Sequence, residues 1–274
     1  MHEVLSYENS LPEAYHRALL QLYAIGDEAD CADWDQKQKE LSMTMVVENP
    51  LTEPMISKLF IGGPRELEQY RQEMLDGILD FEVERGNWKY TYHDRMVNYP
   101  LKSCDEEYKN SNFLNQVGFS CYLDQIAFVI EELKRNPSSR RAVIIIRDPS
   151  VDAFNDDPAC LQHIQYMIRD NKLHCKVLFR SNDACKATFM NAFALIMLQK
   201  RIADELDIEI GSYTHRANSC HCYEKDYDML EGYCHRIMQE ELDDLTYDYT
   251  DEWEEVMEEY KPEITNMVKT LLNQ

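Results

Sequence analysis

Apolar residues recur at helical spacing over residues 11–25, with Leu19, Leu20, Leu22 and Tyr23 among them, which predicts an amphipathic helix. Residues 41–47 have strand character, and Asn49-Pro50 ends the run. Pro64 suits the first turn of a helix, which the pattern carries through Glu66, Leu67, Tyr70 and Met74 to a stop near Gly77. Residues 86–95 read as a loop. From Phe119 to Arg135 apolar residues return at helical spacing (Ile126, Val129, Ile130, Leu133), and Asn136-Pro137-Ser138-Ser139 closes that helix. Residues 142–147 read as a buried strand. Residues 164–168 and 173–179 flank Asp170-Asn171-Lys172, a β-hairpin signature. Residues 188–206 form a long apolar helix whose Phe189, Met190, Phe193, Ile196 and Met197 read as core. The C-terminal third reads as helical. Helices with a mixed or antiparallel sheet predict an α+β fold. With no repeat or linker, residues 1–274 are expected to form one domain with an acidic helical region from about 236 to 274.

Composition narrows the class. The chain has 274 residues, 44% of them hydrophobic, enough for one substantial core. No stretch is long and apolar enough to cross a membrane. Met1-His2-Glu3-Val4-Leu5 has no basic region before an apolar run, so no signal peptide is expected and the cytoplasm is the expected location. The nine cysteines are odd in number and form no CxxC pair, which fits reduced thiols. Cys220, His221 and Cys222 lack a second ligand pair at zinc-site spacing, so no metal is expected. A net charge of −23 opposes binding to nucleic acid. Residues 240–259 carry many carboxylates and no Lys or Arg, a solvated helix face or tail. An anionic substrate remains compatible where arginines converge.

Two segments stand out, the second of them bearing an arginine. Asp157-Pro158-Ala159-Cys160 offers a thiol, and Arg180-Ser181-Asn182-Asp183 follows with a cation, a hydroxyl, an amide and a carboxylate. A hairpin centred on Asn171 brings Cys160 and Arg180 to the same end, where the cation would favour a thiolate. Arg140-Arg141 is a solvated pair or, joined to such a site, a phosphate fork. Glu66 falls in the first turn of its helix, where a carboxylate complements the dipole. His221 and Tyr223 share one face of an extended segment, as do Tyr90 and Tyr92. His163 reads as a core or surface histidine.

Taken in order, these pieces resemble the thymidylate synthase superfamily from about Asn49 to Tyr223. The resemblance implies a mixed sheet packed with helices, one sheet face forming a dimer interface. Arg65-Glu66-Leu67-Glu68-Gln69-Tyr70 resembles the helix bearing the essential glutamate, here Glu66. Tyr90-Thr91-Tyr92 resembles the segment of an active-site tyrosine, here Tyr92. Ser138-Ser139-Arg140-Arg141 resembles the arginine pair that reaches the partner's substrate phosphate. Ala159-Cys160 with Gln165 matches the nucleophile strand, and Arg180-Ser181-Asn182-Asp183 the phosphate and folate motif. Asn191 falls where the pyrimidine edge is read, and His221 and Tyr223 where the deoxyribose hydroxyl is held. Cys160, Glu66, Tyr92 and Asp183 are thus the implied catalytic set. Arg140, Arg141, Gln165, Arg180, Ser181, Asn182, Asn191, His221 and Tyr223 are the implied substrate ligands.

The chemistry implied is one-carbon transfer. Cys160 would add to C6 of a pyrimidine deoxynucleoside monophosphate, and C5 would attack the methylene of 5,10-methylenetetrahydrofolate. Glu66, through water, would assist the proton transfers. The implied partners are nucleotide, folate and a second copy of the chain, in the cytoplasm (a host's, if the chain is phage-encoded). Departures from the synthase pattern bear on the product. Ala159-Cys160-Leu161 replaces Pro-Cys-His, and Ala184-Cys185-Lys186-Ala187-Thr188 replaces a glycine-rich stretch. No apolar closing peptide is visible, and only Trp88 is placed to stand in for the shielding tryptophan. Hydride transfer needs water excluded, so these departures favour 5-hydroxymethylation over reductive methylation to thymidylate, the alternative. Asn191 favours dUMP over dCMP. A homologue that binds nucleotide without turnover is the third reading.

Overall fold

A computed structural model of the chain describes residues 1–32, 35–101, 109–118 and 120–273. Cys104, one of the nine cysteines, and Phe119, where the expected helix begins, lie outside the described residues. The strands are β1 (Glu3–Glu8), β2 (Asp27–Cys31), β3 (Gln36–Val47), β4 (Ile56–Ser57), β5 (Tyr99–Leu101), β6 (Leu114–Val117), β7 (Ser120–Leu123), β8 (Val143–Ile145), β9 (Leu161–Arg169), β10 (Lys172–Phe179), β11 (Asn182–Asp183), β12 (Glu209–Tyr223) and β13 (Thr246–Tyr247). The α-helices are α1 (Leu11–Ile25), α2 (Pro64–Asp76), α3 (Phe81–Glu84), α4 (Tyr92–Val97), α5 (Gln125–Arg135), α6 (Pro149–Asp152), α7 (Thr188–Glu205), α8 (Tyr227–Gln239) and α9 (Glu254–Leu272).

A mixed sheet in the order β1-β3-β12-β10-β9-β8 is the frame, with β2 added on β3 and β11 on β12. β1 with β3 and β10 with β12 run parallel, and the remaining neighbours along that order are antiparallel. The apolar helix α7 lies on β10 and β12, α2 packs on α7, and α9 packs on α2. Burial follows from sequence: Phe193, Leu195, Ile196 and Leu198 of α7 are fully buried, as are Tyr166, Cys175 and Tyr213 beneath it. The α+β fold with a mixed sheet is the one expected.

Local chemistry sets the boundaries. Ser10 caps α1 in a reciprocal box with Glu13, whose carboxylate accepts from the Ser10 amide at 2.8 Å. Pro64 opens α2, and Gly77 closes it at φ 62°, a left-handed conformation in which a Cβ would also meet His93 Nδ1 at 2.1 Å. Asp170 and Asn171 both take positive φ, 51° and 58°, as the two-residue turn between β9 and β10 requires.

Three expectations are corrected. Residues 120–123 are strand, and the helix starts at Gln125 because Asp124 caps it, its carboxylate accepting from the Ala127 amide at 2.9 Å. The expected loop 86–95 contains the start of α4, capped by Thr91, which accepts from the Asp94 amide at 2.9 Å. The C-terminal third is not all helical: β12 runs through it for 15 residues, alternating buried and less buried positions in a half-covered sheet.

Candidate active site

The β9–β10 hairpin does what its turn predicts. Register pairs Phe179 with Leu161, and the Arg180 amide donates to the Cys160 carbonyl at 2.8 Å. The thiol and the Arg-Ser-Asn-Asp segment therefore share one end of the sheet. Cys160 is half-buried, its Sγ 3.6 Å from Ser181 Oγ. The Arg180 guanidinium turns back on the chain before the thiol, donating to Pro158 O at 2.7 Å, Ala159 O at 3.2 Å and Ser181 Oγ at 3.4 Å. It ties the Cys160 loop to β10.

A cavity of about 280 Å³ opens beside the thiol. Its wall brings together seven of the residues that the sequence singled out besides Cys160: Tyr92, Ser181, Asn182, Asp183, Asn191, His221 and Tyr223. Each is fixed from behind. Buried Asn182 has its Oδ1 2.9 Å from both His215 Nε2 and Thr188 Oγ1. Asp183 Oδ1 accepts from the amides of Cys185 at 3.0 Å and Lys186 at 2.9 Å; burial nevertheless pushes its carboxyl up. His221 is buried on β12, its ring 4.8 Å from that of Tyr223, and burial lowers its basicity while Asp183 partly restores it. Tyr92 takes a hydrogen bond from the Leu161 amide at 3.4 Å, and burial holds its phenol protonated far above the ordinary range.

Two polar lining residues were not among the expected site residues. Tyr70 projects from α2 and donates a short hydrogen bond to Asn191 Oδ1. Lys186 lines the cavity and is paired with Asp226. The signal for Tyr70 was helical phase: it follows buried Leu67 by three positions and precedes buried Met74 by four. Lys186 carried no signal beyond its charge.

Five expected residues are absent from that wall: Arg180, tied to the Cys160 loop as described, and four that stand elsewhere. Glu66 is exposed at the N-terminus of α2, its Oε2 accepting from the Gly63 amide at 3.0 Å and its Oε1 3.8 Å from Arg65. That is the role its first-turn position invites. Arg140 and Arg141 are exposed before β8, and Gln165 donates to the Arg140 carbonyl at 3.0 Å. None of the four lines the Cys160 cavity.

A second cavity, about 440 Å³, adjoins the first, and Tyr70 and Tyr92 belong to both. It adds Trp88, Lys89, Tyr90, Glu73, Asn155 and Asp157. The Tyr90 and Tyr92 rings are 5.9 Å apart. This aromatic surface, with a few polar groups, suits a flat heteroaromatic molecule. One cavity thus offers a thiol among hydrogen-bonding groups, and the other an aromatic slot, with two tyrosines between them.

The comparisons with known proteins converge. The family model described as thymidylate synthase matches residues 65–267. A protein of Methanocaldococcus jannaschii named "Putative thymidylate synthase" is 30% identical over 233 residues, covering 82% of this chain and 93% of its own. One of the same name from Methanosarcina mazei is 30% identical over 225 residues, covering 81% and 91%. Among solved structures, the thermostable thymidylate synthase A of Bacillus subtilis superposes with a TM-score of 0.60 at 17% identity, covering 83% of this chain and 84% of that one. That last likeness is one of fold.

Proposed function

The chain belongs to the thymidylate synthase family, and from that premise we propose that it reductively methylates dUMP to dTMP through a covalent adduct on Cys160. The family's activity makes it a one-carbon transferase with methylenetetrahydrofolate as co-substrate. The names of the family and its relatives support methylation better than the hydroxymethylation favoured by the departures around Cys160.

The observation that carries the reading is the thiol itself: Cys160 Sγ stands 3.6 Å from Ser181 Oγ in a cavity that also presents Asn182, Asn191, His221 and Tyr223. Cys160 adds to C6 of the pyrimidine and leaves C5 nucleophilic. Asn191, clamped by Tyr70, reads the base edge, and Asn182 assists. His221 and Tyr223 hold the sugar hydroxyl. Arg180, with Arg140 and Arg141 of a second copy of the chain, holds the phosphate. The exposure of Arg140 and Arg141 in one copy supports that arrangement, and so does the exposure of Leu5 and Tyr7 on β1 at the sheet's edge. Trp88, Tyr90, Tyr92 and Tyr70 offer ring faces to the folate, which when bound supplies the one-carbon unit and the hydride. In this reading residues 1–274 are one domain, in which the acidic helical region 236–274 includes α9 braced on α2. Eight unpaired cysteines among the described residues support a reducing, cytoplasmic setting.

Product analysis tests the reading. The protein, incubated with dUMP or dCMP and methylenetetrahydrofolate, should give dTMP and dihydrofolate from dUMP alone. A hydroxymethyl nucleotide with tetrahydrofolate would overturn the methylation step. Cys160→Ala should lower turnover by at least 1,000-fold, in the range known for removal of a covalent nucleophile; a variant with full activity would remove Cys160 from the mechanism.

A further inference from the structure

We propose that Asp80 and His93 are positioning residues for Tyr92, a clasp that fixes its phenol at the border of the two cavities. The assignment rests on the functional reading above, in which Tyr92 meets both occupants. Neither Asp80 nor His93 lines either cavity, so what they do for the reaction passes through a neighbour.

One carboxylate holds the residues on both sides of Tyr92. Thr91 Oγ1 donates a short hydrogen bond to Asp80 Oδ1, and His93 Nδ1 donates to Asp80 Oδ2 at 2.6 Å. An ionised carboxylate only accepts, so the contact puts the ring's proton on Nδ1. The His93 and Asp80 side chains are only 14% and 21% exposed, too shielded for a solvated surface pair of little consequence. Asp80 is fixed in turn. Its amide donates to the Gly77 carbonyl at 2.9 Å, where α2 ends in a left-handed conformation. A Cβ at residue 77 would lie 2.1 Å from His93 Nδ1 and 2.4 Å from Asp80 Oδ2, so the clasp requires glycine there.

Helix α4 does not need the clasp in order to form. Thr91 caps it by accepting from the Asp94 amide at 2.9 Å. Buried Arg95 anchors it, reaching Asp152 at 3.3 Å and the Ile146 carbonyl at 3.4 Å. The freedom left is rotation of the first turn, which would carry the Tyr92 hydroxyl away from the Leu161 amide, its donor at 3.4 Å, and from the thiol one residue before it. Bonds from one carboxylate to residues 91 and 93 remove that rotation. The cost of losing it is one of alignment: a misplacement of about 1 Å lowers turnover up to about 100-fold.

A double-mutant cycle tests the assignment. Asp80→Asn should lower kcat roughly 10- to 100-fold. In a Tyr92→Phe background, which already lacks the hydroxyl, the same change should cost about threefold or less. Equal losses in the two backgrounds overturn the assignment. At His93 the clasp uses Nδ1 alone. His93→Asn places an amide nitrogen near that atom and should keep kcat within about threefold, whereas His93→Ala should lose as much as Asp80→Asn. A fully active His93→Ala, or a His93→Asn no better than His93→Ala, overturns the assignment; this pair decides it if Asp80→Asn does not fold. A readout without turnover is hydrogen exchange at the Leu161 amide. Exchange should quicken about fivefold or more in Asp80→Asn, and no further when Asp80→Asn is added to Tyr92→Phe. Unchanged exchange in Asp80→Asn means that Asp80 does not place the phenol. A wild type inert toward dUMP and dCMP sinks the functional reading, and the exchange result then still decides whether Asp80 places Tyr92.

Discussion

At the residue scale, the site is a set of amides, rings and a thiol, each held by a neighbour. Tyr70 is the most exposed to test, because its hydroxyl serves a buried amide. Removing it leaves Asn191 Oδ1 without the described donor, at about 1–3 kcal/mol for a buried acceptor. Tyr70→Phe should therefore lower the protein's melting temperature by a few degrees and raise KM for the nucleotide roughly tenfold; an unchanged KM would detach Asn191 from base reading. The pairing of Cys160 with Arg180 was legible in the sequence because a two-residue turn fixes antiparallel register. The orientation of the guanidinium was not. It depends on the carbonyls of Pro158 and Ala159 turning toward it, and no spacing rule encodes that.

At the element scale, α2 shows where reading the chain as a line stops short. Motif order marks Glu66, but Pro64 fixes the first turn so that Glu66 caps Gly63 in solvent. The face toward α7 is set by Leu67, Tyr70 and Met74, and it brings Tyr70 and Glu73 to the cavities. β12 is a second case: its 15 residues mix polar and apolar positions, so strand period competes with the helical run before it. Inside it, His215 stacks on Phe179 at 4.6 Å and bridges Tyr213 and Asn182. Burial lowers its pKa to about 3 from 6.5. As pH falls below 6.5 the unfolded chain takes up a proton that the folded ring refuses until about pH 3, so stability drops through that window. The slope is roughly 1.4 kcal/mol per pH unit for this ring. Urea unfolding at pH 6.5 and pH 5 should show the wild type losing about 2 kcal/mol more than His215→Gln over the interval. Equal losses would mean the ring is protonated in the fold.

At the scale of the whole molecule, the fold class, the mixed sheet and the central hairpin were all legible, since each follows from periodicity and turn chemistry. The second cavity was not, because its wall gathers residues 70–92 with Asn155 and Asp157, far apart in sequence. Its contact with α9 was equally hidden: Arg85 donates to the carbonyls of Leu271 at 2.9 Å and Leu272 at 2.6 Å, tying the wall segment to the last helix. The proposed dimer has its own test. If Arg140 and Arg141 complete the site of a second copy, a mixture of Cys160→Ala with Arg140→Ala/Arg141→Ala, each nearly inactive, should regain roughly a quarter of wild-type activity after subunit exchange. No recovery, or a monomer in sedimentation, would place phosphate binding within one copy.

Tyr70 and Tyr92 have one more consequence. Because each ring belongs to two cavities, the first molecule to enter restrains surfaces that the second must also touch. The two affinities are then linked, and by reciprocity each occupant changes the other's by the same factor. Neither dissociation constant is a property of one cavity alone, and the strength of that linkage resides in two phenol rings.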